Sequence, residues 1–303
     1  MKLPLKKILL AGLLGYAVVL GISYFYLPAL LLNPAREPFD AARVPVEIAG
    51  RAQDVEIPDG KDFMLRGTLV TGKAGLPLVV LIPDSNHSRL SVMDRAVALM
   101  QADHPLLALD PRGQGRSDGN YGTFGFREAD DVRAAIDHLA KLGIVGGEGV
   151  ILYGVGAGAS VATIEASGDA RVAALVLESP FANLREALIH RICLAGVLPS
   201  FLAALPVDLL LASTADLVPG FDASLIDVEA HAASLQIPVL LIHGNLHETV
   251  PASHFDRVYR VLQHPASQRL VIPGESGVME QRAATDLFRS GLAAFLERVS
   301  GNP

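Results

Sequence analysis

Residues 150–158 read Val-Ile-Leu-Tyr-Gly-Val-Gly-Ala-Gly, an apolar run closed by glycines at alternate positions. A strand that turns sharply into a helix through G-x-S-x-G holds its serine on a strained turn, where the hydroxyl can attack an acyl carbon. Gly154 and Gly158 are the flanking glycines of such a turn, and the small-residue stretch 157–167 is its helix. Gly156 stands in the serine's place and carries no nucleophile. The alternate glycines lack the dinucleotide-binding spacing, and Gly113–Gly119 lacks the Lys-Ser/Thr ending of a phosphate loop, so both read as turns.

Acyl transfer also needs a base, a carboxylate to orient it and N–H donors for the oxyanion. The residues that could stand in for these parts follow predicted strands. Asp84, Ser85 and His87 come after the run Leu78–Ile82, His247 and Glu248 after Val239–Ile242, and Glu275 after Leu270–Ile272. In a parallel sheet these loops meet at the C-terminal edge, where ligands bind. The candidate pocket is therefore Asp84, Ser85, His87, Gly156, Ala157, His247 and Glu248. Imidazoles and carboxylates together can hold a metal or can equally form a solvated rim; their spacing matches no metal signature, and no metal or other cofactor is expected. Ser160 reads as a packed helix residue and His243 as a structural strand end. His138 and His190 are placed on helices away from the site edge.

The elements that must position these residues alternate. Val55–Ile57 and Met64–Val70 form an opening antiparallel pair. Leu78–Ile82, Leu106–Leu109, Val150–Tyr153, Val172–Leu177, Val239–Ile242 and Leu270–Ile272 are short apolar runs of the buried parallel type. Helices are expected over 90–100, 126–142, 157–167 and 283–298, the last with Ala283, Leu287, Leu292 and Phe295 on one side. This is an α/β chain with a mostly parallel sheet and helices on both faces. The alternation lapses over 182–235, where residues 182–217 are apolar and helical, interrupted by Pro199 and Pro206. That segment reads as a helical lid over the site edge. A concave, mostly apolar cavity is expected between it, Gly156-Ala157 and the loop at Asp84–His87, with the volume freed by Gly156 left unfilled.

In combination these stretches resemble the α/β-hydrolase superfamily, particularly its serine-aminopeptidase-like branch with an N-terminal membrane helix. The resemblance covers nearly everything from residue 52 to 298. It includes the elbow, Leu109-Asp110-Pro111-Arg112-Gly113-Gln114-Gly115-Arg116-Ser117-Asp118-Gly119, the stretch Thr123–Val132, Glu178-Ser179-Pro180-Phe181-Ala182-Asn183-Leu184, and His243-Gly244 through Val250-Pro251. It implies an α/β-hydrolase fold and a Ser-Asp-His triad, and each triad position departs. The nucleophile is replaced by Gly156. The acid position of G-x-x-D-x-x-V-P is His247, and the histidine position after the last strand falls on Gly277. No histidine follows His264. The oxyanion loop, His-Gly in the family, reads Pro83-Asp84; proline has no N–H, and an aspartate would repel an oxyanion. A glycine elbow is also similar to the inactive N-myc downstream-regulated proteins. The expectation is a pseudohydrolase that binds a small ligand or a protein partner. The alternatives are an esterase or peptidase using non-standard residues, and a structural partner in a membrane complex.

The N-terminus bears on where this happens. After Lys2, Lys6 and Lys7, no charge occurs from Ile8 to Leu27, about the length that crosses a bilayer. Gly21-Ile22-Ser23 makes a poor cleavage site and the apolar run continues to Leu32, so an uncleaved anchor is expected over a signal peptide. The lysines favour a cytoplasmic N-terminus with the main domain outside the cytoplasm. The expected organisation is an anchor over 1–34, a tether over 35–51 and the hydrolase-like domain over 52–300. The net charge of −7, with no basic block after the N-terminus, argues against nucleic acid. The single cysteine, Cys193, forms no intrachain disulfide and reads as a small apolar side chain.

Overall fold

A computed structural model describes residues 5–33, 36–60, 63–196, 198–273 and 286–301. Eight strands form one sheet in the order β1-β2-β4-β3-β5-β6-β7-β8. β1 (Ala52–Pro58) and β2 (Met64–Val70) are antiparallel, and β2 is antiparallel to β4 (Leu106–Asp110). β3 (Leu78–Ile82), β4, β5 (Val150–Val155), β6 (Val172–Glu178), β7 (Val239–Gly244) and β8 (Gln268–Ile272) run parallel.

The central strands are apolar throughout because both of their faces are covered. Val80, Ile82, Leu107, Leu109, Leu152 and Leu177 enter one core cluster. The intervening Val79, Leu81, Leu106, Ala108, Ile151 and Val176 enter the other. Among the described residues six α-helices precede β6: α1 (Leu5–Phe25), α2 (Leu27–Leu32), α3 (Val46–Ala49), α4 (Met93–Met100), α5 (Glu128–Lys141) and α6 (Ala157–Gly168). Five follow: α7 (Leu184–Leu194), α8 (Ser200–Leu217), α9 (Val228–Ser234), α10 (Ala252–Val261) and α11 (Asp286–Val299). Val132, Ile136 and Leu139 of α5 and Val161 and Ala162 of α6 cover the first face. Met93 and Leu99 of α4 and Phe288, Leu292 and Phe295 of α11 cover the second.

α11 differs from the expected face. Leu287 is 46% exposed, while Phe288, Leu292, Phe295 and Leu296 are buried. A stripe at i, i+4, i+7 and i+8 is continuous on a 3.6-residue helix, and Phe288 rather than Leu287 begins it. Ala283 lies outside the described residues. Residues of the expected tether contact the domain: Ile48 is fully buried, and Glu37 accepts hydrogen bonds from both the backbone N–H and the hydroxyl of Ser88 at 2.8 Å.

α1 and α8 are each long and apolar enough to cross a membrane by length and composition, with 6% and 33% of their spans buried. They pack against each other. The Tyr16 hydroxyl donates to the Leu202 carbonyl at 3.1 Å and the Tyr24 hydroxyl to Asp216 at 2.9 Å.

Candidate functional site

β3 is the point where the sheet reverses, for the chain leaves it to β4 on one side and returns to β5 on the other. In the register Ile82 lies beside Gly154, so the loop that begins at Pro83 abuts the turn at Gly156. That turn is a single residue between β5 and α6, with φ 57° and ψ −117°. The conformation is one an L side chain rarely adopts, so the strained elbow survives without its serine. Gly154 and Gly158 permit close approach: a Cβ on Gly154 would strike the Gly158 backbone, and one on Gly158 the carbonyls of Ile82 and Pro83.

The centre of the site is Asp84. Its Oδ1 accepts from the backbone N–H groups of Ala157 and Ser85, both at 2.7 Å. These are the N–H of the residue after the nucleophile position and an N–H from the loop after β3, the donor pair that forms an oxyanion hole in this architecture. The expected loss of oxyanion donors is thus corrected. Pro83 lacks an N–H, but Ser85, two residues on, supplies one, and the hole is intact and occupied by the protein's own carboxylate. The expectation of unfilled volume at Gly156 is corrected too. A Cβ on Gly156 would collide with the carboxyl carbon and both oxygens of Asp84.

Asp84, Gly156 and Ala157 form one end of a cavity of about 80 Å³, with Phe124, Leu188 and Val250 among its apolar walls. Ser85 and His247 line it as well. His87 and Glu248 do not. The His87 ring bonds the Ser85 carbonyl at 3.0 Å and so ties its own loop. Glu248 is exposed, and its carbonyl receives the Nε2 of His190 at 2.7 Å. His190, expected away from the edge, therefore pins α7 to the loop after β7. Glu275 and Gly277 lie outside the described residues.

His247 is 8% exposed and its ring stacks on His243 at 5.1 Å. Its Nδ1 accepts from the Val250 N–H at 3.1 Å, so the neutral ring carries its proton on Nε2. His243 stacks in turn on Phe255 at 5.2 Å. Ser160 is buried and its hydroxyl donates to the Ala157 carbonyl at 2.7 Å, a packed helix residue.

Two residues of the lining escape a reading by sequence position. Ser179, directly after β6, is fully buried with φ 51°, and its hydroxyl has no hydrogen-bond partner among the described residues. A strained non-glycine residue with an unpaired hydroxyl is costly unless something over-determines it. Its own N–H is fixed to the Ile242 carbonyl at 2.8 Å, and the preceding Glu178 receives bonds from Arg95 at 2.8 Å and Tyr153 at 3.1 Å. Burial, with Glu178 beside it, pushes the Tyr153 phenol well above its ordinary range. The second is Arg191, exposed on α7 and shared between this cavity and a larger groove of about 360 Å³ lined by Leu27, Leu31 and Leu210. Position 179 follows a strand at the ligand edge, a signal that could have flagged it; Arg191 had none. Among the described residues no group of three or more His, Cys, Asp or Glu is arranged to hold a metal.

This sheet order, elbow and lid are those of the α/β-hydrolase fold, which the chain adopts. Solved structures similar to it include the Pyrococcus furiosus esterase Pf2001, with TM-score 0.70 at 22% identity over 88% of this chain and 99% of that one. A membrane phospholipase A, described as a bacterial virulence factor, aligns with TM-score 0.63 at 18% identity over 99% of this chain and all of that one. Among curated proteins, the polyketide transferase af380 of Aspergillus fumigatus is 31% identical over 134 residues, 43% of this chain and 46% of the transferase. YqkD of Bacillus subtilis is 26% identical over 64% of this chain and 63% of its own length. Both alignments thus span less than two thirds of the relative. YfhR of Escherichia coli K12 is 23% identical over 98% of this chain and 97% of its own. No family model matches the chain.

Proposed function

We propose that this α/β-hydrolase-fold protein is a membrane-anchored pseudohydrolase that has kept the site as a binding pocket and lost serine-hydrolase chemistry. The observation that carries this reading is the Asp84 carboxylate held by the Ala157 and Ser85 N–H groups. A substrate carbonyl polarised by that donor pair would have to displace a bound anion, and Gly156 offers nothing to attack it. A hydrolase using substitute residues would need a general base near the elbow. His247 is the imidazole among the described lining residues, and its Nδ1 lone pair is already taken by the Val250 N–H. With its proton on Nε2, the ring has no free lone pair with which to remove a proton. Ser179 adds a second polar group facing the same small space. The helix α1 supplies the anchor, with the main domain outside the cytoplasm.

The test is incubation of purified full-length protein with short-chain nitrophenyl esters, aminoacyl anilides and a fluorophosphonate serine probe. Turnover at the buffer rate and no labelling are expected. Turnover that persists through purification and disappears in Ser85→Ala or Ser160→Ala would overturn the reading in favour of a hydrolase with non-standard residues.

A further inference from the structure

We propose that Leu194, at the end of α7, and the first half of α8 sit in the lipid leaflet beside α1, so that the lid is a second membrane-embedded element. The proposal rests on reading α1 as a bilayer span. Tyr16, whose hydroxyl bonds the Leu202 carbonyl, lies nine residues before the end of α1. At 1.5 Å per residue that is about 14 Å along the helix, close to the middle of a hydrocarbon core of ~30 Å. If α1 spans, the beginning of α8 is carried to that depth by direct contact.

The chemistry of the segment fits. No charged residue occurs between Arg191 and Asp208. The large side chains that project from this part are apolar: Leu194 is 47% exposed, Phe201 80% and Leu205 48%. A soluble protein seldom leaves such a patch to water. Asp216, which accepts from Tyr24 near the end of α1, marks the water–lipid level, and Asp208, nearer the apolar segment, is neutralised by pairing with Arg185 at 2.6 Å. Arg191 is placed where a long aliphatic stem can lie along lipid while the guanidinium stays with headgroups. The backbone of α8 is internally bonded as a helix, as burial in hydrocarbon requires. An inserted α8 would open the groove at Leu27, Leu31 and Leu210 onto the leaflet, and a ligand would enter the cavity from lipid.

The experiment uses full-length protein in phosphatidylcholine vesicles. Cys193→Ser removes the single native thiol, and an environment-sensitive fluorophore is then attached, one site at a time, at Phe201→Cys, Leu205→Cys, Leu13→Cys on α1, or Leu142→Cys on the far side of the domain. All four side chains are exposed, so labelling leaves the core untouched. The probes at 201 and 205 are expected to behave like that at 13: blue-shifted, losing most of their emission to doxyl groups on the lipid chains and little to aqueous cobalt. The probe at 142 should show the reverse. Water-accessible probes at 201 and 205 with a lipid-buried probe at 13 would overturn this proposal and leave the anchor standing. Water access at all three positions would overturn the anchor and this proposal with it.

Discussion

Two loop systems at the same edge of the sheet have had opposite fates. The crossover after β4 keeps its motif, and its polar side chains are matched. The Asp110 carboxylate accepts from the Arg89 guanidinium at 2.5 Å and from the N–H groups of Arg89 and Arg116 at 2.6 and 3.0 Å. Ser117 donates to the Asp110 carbonyl and accepts from the Arg66 N–H at 2.8 Å. Arg112 pairs with Asp131, and Thr123 with Glu128. Burial, opposed by the Arg112 pairing, raises the Asp131 carboxyl to about 6. The paired turns after β3 and β5 have the backbone shape of the elbow and its facing loop, with Gly156 and Asp84 at their meeting point. The motif residues in the first region are tied into the fold by buried pairs, and those in the second face a cavity.

This contrast is sharpest in stability. Asp110→Ala leaves Arg89, 1% exposed, without its buried partner, and should cost about 3–5 kcal/mol. Asp84→Ala frees two N–H groups beside a cavity that water can enter, and should cost no more than about 1–2 kcal/mol. Urea midpoints of the two variants measure both. Equal losses would mean that Asp84 is as structural as Asp110.

Next in size is the elbow itself. Gly156→Ser must place a Cβ against the Asp84 carboxyl at φ 57°, a strain of about 1–3 kcal/mol. Adding Asp84→Gly should recover the part owed to the collision and leave the part owed to φ. Neither variant should hydrolyse esters, because among the described residues no base is placed to take the serine proton. Ester turnover by the double variant would show that the site lacks only its nucleophile.

The smallest effect concerns the floor of the lid. His254 Nδ1 accepts from the Ala182 N–H at 3.0 Å, and burial lowers the pKa of this ring. A histidine whose folded pKa lies below 6.5 binds protons more readily when unfolded, so its contribution is present above pH 6.5 and lost as pH falls toward the folded value. Asn at 254 keeps an acceptor and does not titrate. Thermal melts from pH 7.5 down to 5.5 should show the native protein losing stability relative to His254→Asn. Parallel curves would mean that His254 titrates alike in both states.

Much of the scaffold was legible because it is written in local periodicity. Val79 and Val80 must point to opposite faces of a strand, and both being apolar requires two covered faces. The glycines 154 and 158 declared close packing by their spacing alone. Local pattern served less well where two frames compete, as at Leu287 and Phe288. It failed where a side chain's role depends on a distant partner, as with His190 and the Glu248 carbonyl.

The sequence by itself determined the alternation that builds the sheet, the N-terminal apolar run without charge after Lys7 and the absence of a nucleophile at 156, since a glycine has no side chain in any fold. Only the tertiary structure decided what Asp84 does. Read along the chain, it is an aspartate in a poor oxyanion loop. The pairing of Ile82 with Gly154 brings it against a turn more than seventy positions away. There two backbone N–H groups that would otherwise be unmet converge on its carboxylate. Register between strands distant in sequence set that outcome, and no local pattern encodes it.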